Sequence, residues 1–149
     1  MNENYLELLE SADSPIYAEY LPGFNIREAD AKFDKFVKAL EQRLGCALPN
    51  KDNYSGIQDG GFHGMVLLPS DLFTGEYGAS LRVSNFGNFA TIFDDDEEVK
   101  PEVFLTIDET LEEFGYVYIP SKVLNTPYTG NNPGVTGFHS WGHRYFDWT

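Results

Sequence analysis

The stretch "NIREADAKFDKFVKALEQRLG", residues 25–45, sets the strongest limit on the fold of this chain. Its apolar residues recur at intervals of three and four, as on one face of an α-helix; they are Phe33, Phe36, Val37, Leu40 and Leu44. Asn25, followed three residues later by Glu28, is typical of a helix N-cap, and Gly45 is typical of a helix end. We therefore predict a helix over 25–45 whose apolar face packs on a sheet.

Other stretches carry apolar residues between turn residues, which is typical of β-strands. The predicted strands lie within residues 62–70, 80–93, 102–107 and 116–120. The second of these ranges is a hairpin of two strands, because "NFGN" supplies turn residues between two alternating runs. A short helix is predicted over 108–115, with Asp108 as its N-cap.

The length and composition fit one globular domain. A chain of 149 residues with 42% hydrophobic content can bury a core without a disulfide or a metal ion. We predict a single α+β domain over residues 1–149, with a mostly antiparallel sheet of about five strands and one long amphipathic helix packed on one face. Residues 4–12 fit either a short helix or a strand. If the tail is helical, four aromatic residues share one face: Phe138, Trp141, Tyr145 and Trp148.

The charge of the chain favours some partners over others. The formal net charge of −14 repels nucleic acid and anionic membranes, so we expect neither as a partner. Five consecutive carboxylates occur in "FDDDEEVKPE"; they belong to Asp94, Asp95, Asp96, Glu97 and Glu98. We call these five residues the acidic run. It favours a basic protein partner, with plain solubility and protection of a sheet edge as the alternatives.

The cysteine content and the N-terminus favour a reducing compartment. Cys46 is the only cysteine, so no disulfide can form within the chain. The start "MNENYLELLE" lacks the basic and apolar regions of a signal peptide, and no apolar run is long enough to span a membrane. We expect a soluble, cytoplasmic protein.

The histidines raise the possibility of a metal site. His139 and His143 are four residues apart, which on a helix places both rings on one face. A zinc site needs a third ligand, which His63 or Asp147 could supply only through the tertiary fold. No HExxH, P-loop, GxGxxG or GxSxG motif occurs. We therefore assign no catalytic residue, metal or cofactor, and a metal-binding protein or hydrolase using His139 and His143 remains the alternative.

Three segments carry a resemblance to a known class of proteins. They are "RVSNFGNFATIF", "YVYIPSKVLNTPYTGNN" and "WGHRYFDW", all within residues 80–149. Together with the acidic composition, they resemble the small α+β immunity proteins that bacteria encode beside polymorphic or contact-dependent toxins. The resemblance implies a cytoplasmic protein without enzymatic activity that binds and neutralises a cognate toxin domain.

This interpretation assigns roles to eight residues. The acidic run, Asp94 to Glu98, steers and pairs with lysine or arginine of a basic toxin domain. Tyr116, Trp141 and Tyr145 are candidate aromatic anchors for the partner, although each of them could equally belong to the core. A general interaction domain without a toxin partner is the third alternative.

Overall fold

The computed structural model of the chain describes residues 2–17, 20–48, 61–75, 78–93, 98–133 and 137–146. The helices are α1 (Asn2–Ala12), α2 (Ile26–Leu44), α3 (Pro101–Glu113), α4 (Ser121–Leu124) and α5 (Trp141–Phe146). The strands are β1 (Phe62–Leu68), β2 (Ala79–Ser84), β3 (Phe89–Ile92) and β4 (Val117–Tyr118). A short 3₁₀ turn, Ser70–Leu72, follows β1.

The predicted α+β class is confirmed, and the sheet is mixed. Its strands lie in the order β1-β2-β3-β4. The first two pairings are antiparallel, with Val66 opposite Leu81 and Val83 opposite Ala90. The third pairing, β3 with β4, is parallel. The described residues form four strands where about five were predicted.

The long helix was predicted correctly, including both of its ends. Asn25 Oδ1 accepts a hydrogen bond from the backbone N–H of Glu28 at 3.1 Å. Gly45 ends the helix at φ 72°, a left-handed conformation that glycine adopts at no steric cost. The helix packs on β1 and α3. It approaches β1 so closely that a Cβ at Gly64 would lie 2.7 Å from the Phe33 ring.

The predicted strand over 102–107 is wrong, because these residues form the first half of α3. Pro101 suits the first turn of a helix, where its missing N–H costs no hydrogen bond. Ile107 and Leu111 are both fully buried and four residues apart, so one helical face enters the core. The run "VFLTI" is rich in β-branched and aromatic residues, which imitates a strand locally. Asp108 consequently lies inside the helix and does not cap it.

The remaining short elements match the predictions or decide between the alternatives that the sequence left open. Residues 4–12, which fitted helix or strand, belong to α1. The hairpin of β2 and β3 is confirmed, and its turn places Gly87 and Asn88 at φ 61° and 56°. The aromatic tail is helical in α5, while Asp147 and Trp148 lie outside the described residues.

Two apolar clusters lie on opposite faces of the sheet. Successive residues of a strand point to opposite faces, and Phe89 belongs to one cluster while Ala90 belongs to the other. The first cluster joins the sheet to α2 and α3. The second joins it to α1, α4 and α5. Helices therefore cover both faces of the sheet, whereas the sequence predicted one long helix on one face.

A buried ion pair fastens α5 to the segment that follows α1. The side chain of Arg144 is 0% exposed, and its Nε donates to Asp13 Oδ1 at 2.8 Å. Its guanidinium also donates to the carbonyl of Tyr17 at 2.8 Å and lies 4.5 Å from the centre of the Phe86 ring. A charge removed from water needs such partners, because an unpaired buried charge is very costly.

Further hydrogen bonds complete this buried network. The hydroxyl of Tyr128 donates to Asp13 Oδ2 at 2.5 Å and accepts from the backbone N–H of Asn132 at 2.8 Å. The side-chain amide of Asn132 donates to the carbonyl of Ser14 at 2.7 Å. The segment after α1 is thereby held by residues from the C-terminal part of the chain.

One buried and one exposed ion pair should differ strongly in their effect on stability. Arg144→Met leaves Asp13 buried without its cation, and we expect the free energy of unfolding to fall by about 3–5 kcal/mol. Arg43 pairs with Glu113 at 2.6 Å, but these side chains are 39% and 58% exposed. Arg43→Met should therefore cost at most about 1 kcal/mol. Urea denaturation of both variants measures the difference, and equal losses would contradict the role of the buried network.

Candidate partner-binding surface

The outer face of α3 is acidic and carries one apolar side chain. Glu102, Leu105, Glu109 and Glu112 follow one another at spacings of three, four and three, so they lie on one side of the helix. All four are exposed, and Leu105 is 58% exposed. We call these four residues the α3 stripe. Its position follows from packing, because the opposite side of the helix is buried in the core.

Negative charge accumulates along this helix. Burial raises the pKa of Asp108 above its ordinary value, and the neighbouring carboxylates of Glu112 and Glu109 raise it further. Within the described part of the chain, no cation lies within ion-pairing distance of Glu102, Glu109 or Glu112. The negative potential of the α3 stripe therefore remains available to a positively charged partner.

The acidic run precedes α3 in the chain. Asp94, Asp95, Asp96 and Glu97 lie outside the described residues. Glu98 is described and exposed, and its carbonyl accepts a hydrogen bond from the backbone N–H of Thr74 at 2.7 Å. This bond and the bridge between Phe73 and Val99 fix the chain two residues before α3 begins. The last residue of the acidic run is thus held next to the start of α3.

The three candidate aromatic anchors belong to the core. Tyr116 is 5% exposed and packs on Phe36, while Trp141 and Tyr145 are fully buried in the second apolar cluster. Tyr145 also donates its hydroxyl to the carbonyl of Leu9. Buried rings offer no surface to a partner, so of the two roles that the sequence left open, the structure assigns these residues to the core.

The exposed apolar side chains lie elsewhere. Among the described residues, Leu8 on α1 is one of them, and four others belong to the connector between α1 and α2: Ile16, Tyr17, Tyr20 and Leu21. Ile16 is the most exposed, at 77%. No predicted site includes this connector. Its sequence nevertheless places apolar residues between two prolines, Pro15 and Pro22, where a loop leaves them exposed.

His139 and His143 meet, and no third metal ligand joins them among the residues that the structure describes. Their rings stack with centroids 5.3 Å apart. Nδ1 of His143 accepts a hydrogen bond from the backbone N–H of His139 at 3.0 Å, which occupies one of its two possible ligand atoms. No group of three or more His, Cys, Asp or Glu residues suited to a metal ion occurs among the residues that the structure describes.

His63 lies on β1 and is buried. Its Nδ1 is 3.0 Å from Asn85 Oδ1, and its side chain is only 4% exposed. Burial lowers the pKa of His63 to about 4; the hydrogen bond to Asn85 opposes this shift, and the charge of Lys32 adds to it. The imidazole is therefore neutral at physiological pH.

Comparisons with known proteins add no relative. The chain gave no significant match to a protein-family model, to a curated protein or to a solved structure. None of the helices in the described ranges combines the length and the apolar character that crossing a bilayer requires.

Removing one carboxylate from α3 should stabilise the fold slightly. Asp108→Asn removes the desolvation cost of a partly buried carboxylate and its repulsion from Glu112, four residues away, and from Glu109, so we expect the free energy of unfolding to rise by about 0.2–0.5 kcal/mol. The gain should shrink at high salt, because the repulsion is screened. Urea denaturation at low and high salt measures it. A loss of stability at low salt would contradict the accumulation of negative charge.

The neutral His63 should make the fold sensitive to acid. Its pKa is about 4 in the folded state, whereas an unperturbed histidine side chain has a pKa of 6.5. Because the folded state favours the neutral imidazole, the contribution of His63 to stability is fully present above pH 6.5. It is lost as the pH falls to about 4, and the free energy of unfolding then decreases by about 3 kcal/mol in total. His63→Gln should have a flatter stability profile between these values than the wild type. Parallel profiles from denaturation at a series of pH values would refute this.

Proposed function

We propose that this protein is an inhibitory binding protein of the bacterial immunity type, which binds and neutralises a basic toxin domain. The observation that carries the proposal is the α3 stripe: three exposed carboxylates around an exposed leucine, on a helix whose opposite face is anchored in the core. The resemblance of residues 80–149 to such proteins adds the class of partner. In this proposal the protein acts in the cytoplasm and performs no chemistry.

The acidic stripe favours the fast association that an inhibitor needs. Complementary charge accelerates the encounter of two proteins by orders of magnitude at low salt. The described carboxylates of the stripe are not engaged with cations in the described part of the same chain, so the partner need not break such ion pairs to reach them. The acidic run, which ends at Glu98 just before α3, adds charge to the same part of the chain.

Leu105 supplies the apolar contact that charge alone does not provide. Exposed charge pairs at the rim of an interface contribute little affinity after they are screened, whereas a leucine that becomes buried contributes about 1.5–3 kcal/mol. Its exposure of 58% shows that the fold itself does not bury it. Steering by Glu102, Glu109 and Glu112 and anchoring by Leu105 are therefore separable roles.

The charge of the stripe should control the association rate. The partner to test is the C-terminal domain of the toxin encoded by the adjacent gene, with binding followed by surface plasmon resonance over a series of salt concentrations. In the double variant Glu109→Gln and Glu112→Gln, we expect association to slow at low salt and to approach the wild-type rate at high salt. The matched control removes Glu7 and Glu10 on α1, which are also exposed, and should slow association less.

Leu105→Ala should instead raise the dissociation rate, by about 5–30-fold for a loss of 1–2 kcal/mol. The free energy of unfolding of this variant should change little, because the Leu105 side chain is mostly exposed. Ile16→Ser tests the connector as the rival surface. Binding that is lost in Ile16→Ser but unchanged in Leu105→Ala and in the charge variant would overturn the assignment to α3.

A further inference from the structure

A small polar cavity lies between α2, β1 and the turn that joins β2 to β3. Its volume is about 140 Å³. Six of its lining residues matter here: Phe24, Lys32, His63, Asn85, Asn88 and Tyr116. It is distinct from the α3 stripe, none of whose residues lines it.

His63 lines this cavity and carries a buried hydrogen-bond acceptor. Oδ1 of Asn85 can only accept, so Nδ1 of His63 carries the ring proton in the bond that joins them. Nε2 of the neutral ring therefore has a free lone pair. This atom is buried and has no hydrogen-bond partner among the described residues. A buried polar atom without a partner costs about 1–3 kcal/mol, so a ligand that donates to it recovers this free energy.

Tyr116 lines the same cavity and carries a buried hydroxyl donor. The residue is 5% exposed, and its hydroxyl likewise has no partner in the described part of the chain. Burial raises the pKa of this phenol, so the hydroxyl keeps its proton. The ring packs against Phe36 in the core, a task that phenylalanine would perform without burying an unsatisfied oxygen. Packing alone therefore does not explain the choice of tyrosine.

Lys32 adds a positive charge beside these two groups. Its Nζ lies 4.2 Å from the centre of the Tyr116 ring, and its side chain is half-buried. An ammonium group held next to a cavity attracts an anion locally, even in a chain of net charge −14. The cavity thus combines a cation, a hydroxyl donor and an imidazole acceptor.

We propose that this cavity binds a small hydroxycarboxylate. Its carboxylate accepts hydrogen bonds from Lys32 and Tyr116, and its hydroxyl donates to Nε2 of His63. The volume of the cavity limits the size of the ligand. At about 30 Å³ for each water-sized group, the cavity holds roughly five heavy atoms, far fewer than a drug-sized ligand contains. Glycolate has this number of heavy atoms and both functional groups.

The test is a titration of the isotope-labelled protein with sodium glycolate, followed by NMR of the His63 and Tyr116 ring resonances against a sodium chloride reference. We expect saturable shifts with a dissociation constant on the order of 1 mM, as suits a ligand of this size. Acetate, which lacks the hydroxyl, and ethylene glycol, which lacks the carboxylate, should each bind at least about tenfold more weakly.

Two variants separate binding from folding. Tyr116→Phe removes only an oxygen that has no partner among the described residues, so it should fold with undiminished stability yet bind glycolate at least about tenfold more weakly. Lys32→Met should weaken binding similarly. Lys35→Met, which changes an exposed lysine on the same helix, should not.

The proposal is overturned by the absence of saturable shifts at glycolate concentrations well above about 1 mM, by acetate binding as tightly as glycolate, or by unchanged affinity in Tyr116→Phe. No toxin domain takes part, so failure here leaves the partner proposal intact.

Discussion

The division of α3 into a buried and an exposed face is the constraint on which the proposed function depends. Ile107 and Leu111 bury one face against the core that α2 and the sheet share. Arg43 of α2 holds the end of α3 by an ion pair with Glu113 and a hydrogen bond to Thr110. Because a helix fixes every side chain relative to its neighbours, this anchoring forces the α3 stripe outward. A rigid helix therefore presents the charge of the stripe, and less ordering entropy is lost on binding than with a flexible tail.

The buried network and the polar cavity show two opposite ways of placing polar groups inside a protein. Around Arg144, hydrogen bonds and the ion pair satisfy both charges, so the network fastens the two ends of the described chain. At the cavity, His63 and Tyr116 keep buried atoms that no described residue satisfies. Proteins bury such atoms rarely, since each one costs free energy that a core of apolar residues would not lose. The first arrangement suits stability, and the second suits a ligand.

Local patterns predicted the elements whose signals lie within a few residues. The 25–45 helix and the 80–93 hairpin were found from periodicity, caps and turn residues. The strand prediction for residues 102–107 was wrong. The segment contains β-branched residues, which favour a strand, but it also has an apolar helical face, and tertiary packing favoured the helix. The Arg144 network joins residues 131 positions apart, and the cavity gathers four separate segments, so neither had a local signal. Sequence acidity indicated a basic partner, but composition could not show that the exposed carboxylates surround Leu105 while Tyr116, Trp141 and Tyr145 are buried.

The exposed leucines allow the central claim to be tested in one measurement. Leu8 lies on α1, Leu21 on the connector and Leu105 on α3, and they are 39%, 40% and 58% exposed. Methyl NMR of leucine-labelled protein, titrated with the C-terminal domain of the adjacent gene's product as the proposed partner, reports on all three surfaces at once. We predict that the Leu105 methyl resonances shift strongly while those of Leu8 and Leu21 stay in place. Shifts confined to Leu8 or Leu21, with Leu105 unchanged, would contradict the assignment of the partner surface to α3.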